Sequence, residues 1–285
     1  MSLLPLLLVV AASVASSGFD LFRKVLVRHL APVPMVFLLA TASVPLFGAA
    51  VLFGEPAPVQ TAYWLPALGS VALNVVANLT FLEAVRISPL SVTVPLLSLT
   101  PVFTALLGFA LLGERPAPLD LVGILLVVVG AFWLNVEPQS SARAFVSQPG
   151  AWLMAGTALL LSLTIPLDKL AVGRASPPFH GLVLTAGIAL GALAVLTVQK
   201  RWGELAGLRR GWLPFVLALA SSTLALGFQL VALKVVLVSL IETLKRGIGN
   251  LLAVILGRAV FGETVTPGKL AAALLMAAGV ALILL

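Results

Sequence analysis

The sequence predicts an all-α membrane protein: ten transmembrane helices arranged as two inverted five-helix repeats. Three observations carry this. Of 285 residues, 61% are hydrophobic and only 9% are charged, whereas a soluble domain holds about a quarter charged residues. The apolar stretches run to roughly 20 residues, which spans a bilayer as helix and does not fit the ten-residue alternation of barrel strands. The second half of the chain also repeats residues of the first in the same order. Only helices and closed barrels satisfy the backbone in lipid, so the long runs read as helices.

Turn and charge signals cut the chain into spans at 3–27, 32–53, 62–86, 90–112, 119–136, 151–173, 179–198, 212–235, 237–261 and 269–285. Residues 1–15 lack the basic start of a secretory signal and read as part of the first span. Trp64, Trp152 and Trp212 stand at the starts of spans and read as interfacial anchors. Pro45, Pro95, Pro101 and Pro166 fall inside spans, as hinges or as static kinks. Most connections are short, and no segment reads as a soluble domain.

The repeat is visible in register. Setting Glu114 on Glu263 brings Leu107 onto Leu256, Gly108 onto Gly257, Gly113 onto Gly262, Pro118 onto Pro267 and Gly130 onto Gly279. With one residue of slip, Trp64-Leu65-Pro66 falls on Trp212-Leu213-Pro214 and Arg86 on Lys234. Further back, Lys24 meets Lys169 and Pro32 meets Pro177. This divides the chain into repeats at 1–138 and 149–285. Five spans per repeat force the second to insert upside down, an inverted-topology arrangement found in transporters, with the binding site near mid-membrane between the halves. Basic residues concentrate in the odd connections, Arg28, Arg86, Arg143, Lys200, Arg201 and Arg258 among them, so the positive-inside rule puts both termini outside.

Composition also excludes chemistry. There is no cysteine, hence no disulfide or thiolate chemistry. The two histidines, His29 and His180, form no metal-ligand motif, so neither a metal nor a cofactor is expected. The net charge of +7 reads as basic loops facing anionic lipid, not as a nucleic-acid surface.

Polar residues inside spans are the functional leads, because each charge at bilayer depth costs at least roughly 2.5–3.5 kcal/mol. In span one, Ser13, Ser16, Ser17, Asp20 and Lys24 share one helical face, either a cavity wall with Asp20 as counter-ion or gate, or a small-residue packing face. Span three carries Asn74 and Asn78 four apart, to fix a ligand's polar groups or to bond between helices. In span eight, Ser221, Ser222 and Gln229 read as packing residues. Span nine carries the densest stripe: Glu242, Lys245, Arg246, Gly249 and Asn250 lie on one face. Lys245 and Arg246 can hold an anionic group, the Arg through its planar fork. Glu242 can balance them in the empty state or titrate to couple transport to protons. The bland alternative is a structural Glu242–Arg246 pair with Lys245 snorkelling. Glu114 and Glu263, after Gly at helix ends, read as structural caps or gates. Asp168 and Lys169 are adjacent, so they point in different directions and need not pair.

The run Pro101-Val102-Phe103-Thr104-Ala105-Leu106-Leu107-Gly108, continuing to Leu112-Gly113-Glu114-Arg115, resembles the drug/metabolite transporter superfamily, in its duplicated ten-helix EamA type. The second copy departs from the pattern: Asn250 stands where Pro101 does, and Thr264 replaces Arg115. The resemblance implies an integral multi-pass protein of a bacterial or archaeal cell membrane, with spans one, three, four, six, eight and nine lining a central cavity. It implies termini in the cytoplasm, against the charge rule. More narrowly, Leu244-Lys245-Arg246-Gly247 resembles the ninth helix of plant-type triose-phosphate translocators, where a Lys-Arg pair grips phosphate. The expected function is a secondary transporter moving an amino acid or other anionic or zwitterionic metabolite by alternating access. Its expected partners are the solute, membrane lipids and protons as coupling ion, with no nucleic acid. The alternatives are an organophosphate or lipid-phosphate exchanger, a passive channel or scramblase, and a membrane-embedded enzyme.

Overall fold

Among the described residues ten α-helices follow one another: α1 Leu3–Leu26, α2 Pro32–Leu52, α3 Trp64–Ile87, α4 Thr100–Leu112, α5 Pro118–Asn135, α6 Pro149–Val172, α7 Pro177–Val198, α8 Trp212–Ala232, α9 Val238–Phe261 and α10 Pro267–Leu284. The computed structural model describes residues 3–55, 57–88, 93–136, 148–262 and 265–284, and no strand occurs among them. Arg143, Glu263 and Thr264 lie outside the described residues. Among the described residues nine helical spans are long and apolar enough to cross a membrane. The tenth, α9, carries Glu242, Lys245, Arg246 and Arg258 within the same length of helix.

Local chemistry sets the helix ends. Five helices, α2, α5, α6, α7 and α10, begin on proline, whose fixed φ suits the first turn and whose missing N–H would be unpaired there anyway. Gly113 and Gly262 end α4 and α9 at φ +68 and +66. Only glycine takes this left-handed cap without strain, and the two glycines are register mates in the sequence repeat.

The fourth span differs from the single helix expected over 90–112. A 3-10 segment, Val94–Leu99, precedes α4. Pro95 and Pro101 remove two backbone donors, so the chain enters α4 through a tighter turn. In the second half Asn250 stands where Pro101 does, and α9 is continuous. Pro45 and Pro166 do lie within helices, α2 and α6.

The most extensive helix packing joins α3 to α6, α1 to α8, α5 to α10 and α2 to α7. Every one of these pairs crosses from residues 1–138 to 149–285. A Cβ on Gly123 would sit 2.8 Å from the Gly279 carbonyl oxygen, and one on Gly130 2.9 Å from that of Ala272. Small residues thus let α5 and α10 approach backbone to backbone, the usual glue between helices in lipid. The main buried cluster draws on both halves, with Val9 of α1, Val127 of α5, Val172 of α6, Leu230 of α8 and Ile241 and Leu244 of α9.

Candidate functional site

A cavity of about 500 Å³ lies among α1, α3, α4, α6, α7, α8 and α9. Its most polar wall is α9. Successive helical turns bring Glu242, Lys245, Arg246, Gly249 and Asn250 to the cavity side, as a period near 3.6 requires. Lys245 Nζ lies 2.9 Å from Glu242 Oε2, and Arg246 Nε lies 3.3 Å from Oε1. The Glu242 side chain is 5% exposed, against 25% for Lys245 and 29% for Arg246. The carboxylate therefore sits behind the two cations, which present themselves to the cavity.

Facing helices hold these groups in place. Lys245 Nζ donates to Gln229 Oε1 of α8 at 3.0 Å, and Arg246 Nε donates to Thr100 Oγ1 at 3.1 Å. Thr100 opens α4 at the break in the fourth span. Its hydroxyl lies 2.9 Å from Leu97 O and 3.2 Å from Glu242 Oε1, and donates to one of them. Its carbonyl lies 3.1 Å from Ser162 Oγ of α6, whose hydroxyl donates there or to Ala158 O at 2.6 Å. Among the described residues Arg246 is held through Nε alone.

From the sequence leads, Ser17, Asp20, Asn74, Glu242, Lys245, Arg246 and Asn250 come together on this wall. Asn78 is not among the lining residues; its Nδ2 donates to Asn74 O one turn back, at 2.8 Å. Asn74 Nδ2 likewise donates to Ser70 O at 3.0 Å. Asp20 is exposed and pairs with Arg23 at 2.8 Å. Of the span-one stripe, Ser16, Ser17, Asp20 and Lys24 line the cavity, while Ser13 is buried and donates to Val9 O.

Gln229, Thr100 and Asp168 line the cavity although the sequence reading had not placed them there. Gln229 lies on the wall and not simply in packing. Thr100 is an apolar-looking threonine whose partners are on other helices. Asp168, buried on α6, accepts from Ser70 Oγ and lies 3.0 Å from His180 Nε2. Its spacing of four from Thr164, which also lines the cavity, was the available signal.

Near one end of the cavity an ion pair joins α6 to the turn after α4. Lys169 Nζ lies 2.6 Å from Glu114 Oε1 and donates to Val236 O at 2.7 Å. Glu114 Oε2 accepts from Val238 N at 2.8 Å. Glu114 thereby caps the N-terminus of α9, where negative charge is favoured, and ties α4, α6 and α9 together. Asp168 lies near this end; Lys24, Leu256 and Gly257 line the other. Among the described residues no group of acidic or histidine side chains could hold a metal ion.

A solved structure described as "Crystal structure of protein" superposes with a TM-score of 0.75 over 97% of this chain and 94% of its own, at 18% identity. That likeness shows the fold. No curated protein matches the chain. The EamA-like transporter family matches residues 3–136, the first five helices. The all-helical architecture, the apolar spans and this match agree: the chain is an integral multi-pass membrane protein whose residues 3–136 are similar to the EamA-like transporter family.

Proposed function

We propose that the protein is a secondary carrier, not an enzyme, for a small anionic or zwitterionic metabolite such as an amino acid, working by alternating access between two inverted repeats, 1–138 and 149–285. One observation carries the solute class: two cations, Lys245 and Arg246, stand in front of a single buried carboxylate, Glu242, on the wall of a metabolite-sized cavity. The trio holds one positive charge in excess, and the planar fork of Arg246 suits a carboxylate or phosphate oxygen pair. Glu242 acts as counter-ion while the site is empty. Asn74, Ser17 and Asn250 supply neutral polar contacts, and Asp20 faces the positive end of a zwitterion at the mouth. Asn78 acts through Asn74. The latch through Glu114 and Lys169 is the closed gate of this state, with the opposite end open. The pairing of α1 with α8 and of α3 with α6 supports the two-repeat reading, since a two-fold exchanging the halves maps each pair onto the other.

The adjacent Lys and Arg also support a second reading, an organophosphate or lipid-phosphate exchanger. One experiment separates the two. The melting temperature of purified protein is measured against amino acids, dicarboxylates, sugar phosphates, inorganic phosphate and lipophilic cations. A ligand that binds only the folded state raises stability in proportion to the logarithm of its concentration over Kd. The expected result is a shift with amino acids or carboxylates that is lost in both Lys245→Ala and Arg246→Ala. A shift confined to phosphates selects the second reading, and a shift confined to lipophilic cations overturns both.

A further inference from the structure

We propose that Asp168 and His180 form a proton-binding site that opens onto the cavity. His180 is fully buried in the first turn of α7. Its Nε2 lies 3.0 Å from Asp168 Oδ1, and its Nδ1 lies 3.1 Å from the hydroxyl of Tyr63. Ser70 Oγ donates to the same Asp168 Oδ1. Four polar groups, on α3, α6, α7 and the 3-10 turn Thr61–Tyr63 that precedes α3, therefore make one chain, Ser70–Asp168–His180–Tyr63. Nothing in it compensates an ionised carboxylate with a full charge unless the imidazole carries a proton.

That is the physical basis of the site. A buried carboxylate beside a neutral imidazole leaves one uncompensated negative charge, which the membrane interior disfavours. One added proton turns the pair into a neutral Asp168⁻–His180⁺ couple, held by the hydrogen bond already in place. The site has two states that differ by one proton, and histidine is the side chain whose charge changes in the physiological range.

Access is one-sided. Asp168 is part of the cavity wall, at 5% side-chain exposure. Behind His180, Tyr63 packs edge-on or tilted against Trp64 at 5.2 Å and Phe179 at 5.4 Å between ring centres. Tyr63 itself is fully buried. A proton reaches the pair from the cavity through Asp168, and the aromatic stack keeps water from the opposite side.

Other charged groups are committed elsewhere. Lys169, next in sequence, turns to Glu114. The Arg174 guanidinium binds Ala62 O. Across the cavity α9 presents Glu242 already paired with Lys245 and Arg246, and α1 presents Asp20 and Lys24 toward the other end. The proton site is thus distinct from the anion grip. Given the carrier reading above, it supplies what that reading lacks, a group able to draw on a proton gradient.

The test needs no solute, so it stands or falls separately from the Lys245–Arg246 assignment. The protein has two histidines, and His29 is exposed. In a His29→Gln variant with ¹⁵N-labelled histidine, every imidazole signal belongs to His180. The expected result is a single reversible protonation of that ring in folded protein, retained in Tyr63→Phe and lost or displaced in Asp168→Asn. A ring that holds one neutral tautomer at every pH at which the protein is folded overturns the proposal, as does an unchanged titration in Asp168→Asn. Should Asp168→Asn not fold, the His29→Gln titration alone decides.

Discussion

Lys245 and Arg246 share Glu242, and that shared partner sets what each substitution does. On the proposed carrier reading, removing either cation takes a charge-assisted contact from an anionic solute, worth about 1.5–3 kcal/mol, so binding should weaken at least tenfold while the fold persists. Glu242→Gln acts in the opposite sense on the ligand. The ligand-free protein then holds two half-buried cations without their carboxylate and should melt lower. An anion that restores neutrality should produce a larger melting shift than in the wild type, and a shift equal to or smaller than the wild-type one would remove Glu242 from the counter-ion role. Residue chemistry on α9 was legible in the sequence because three charges within five residues are rare inside a span. Asp168 and His180 were not. Their partners Ser70 and Tyr63 lie 98 and 117 residues away along the chain, and the sequence showed of Asp168 only that it need not pair with the adjacent Lys169.

The helix ends and contacts were readable in part. Prolines and the two αL glycines fix where α4, α9 and five other helices begin or end, so their limits follow from local chemistry. What Glu114 does at the end of α4 depends on α6 and α9. Glu114→Gln should release Lys169 and weaken the cap on α9. Because the protein has no cysteine, a single cysteine at Val236, now 4% exposed, reports on that end directly. Its labelling by a water-soluble maleimide should speed up in the Glu114→Gln background; an unchanged rate would show that the latch does not close the cavity. The α5–α10 contact is a matter of shape. In Gly130→Leu the new side chain meets the Ala272 carbonyl and Met276, and overpacking of this kind costs about 1–3 kcal/mol. A lowered melting temperature is expected. Gly156→Ala, with nothing within 4 Å of the added carbon, should leave it near the wild-type value.

At the scale of the whole molecule, the four most extensive helix pairs all cross between the halves. Neither half has a core of its own, since the main buried cluster takes residues from α1, α5, α6, α8 and α9. Residues 1–138 and 149–285 expressed as separate chains should therefore be unstable singly and recover a monodisperse complex when co-expressed. Stable, monodisperse protein from one half alone would show instead that each repeat is an independent unit.

The sequence by itself determined the all-helical membrane class, the positions of most helices to within a few residues, and the polar stripe on α9. Each of these follows from hydropathy, periodicity or turn chemistry within one stretch of chain. Tertiary structure decided that the fourth span breaks just before Thr100, that Thr100 and Gln229 hold Arg246 and Lys245, that Glu114 caps another helix, and that Asp168 meets His180. Each of those depends on which helices stand side by side. In lipid that choice is made by close packing of small residues and by buried polar groups finding partners, terms that no single helix carries alone.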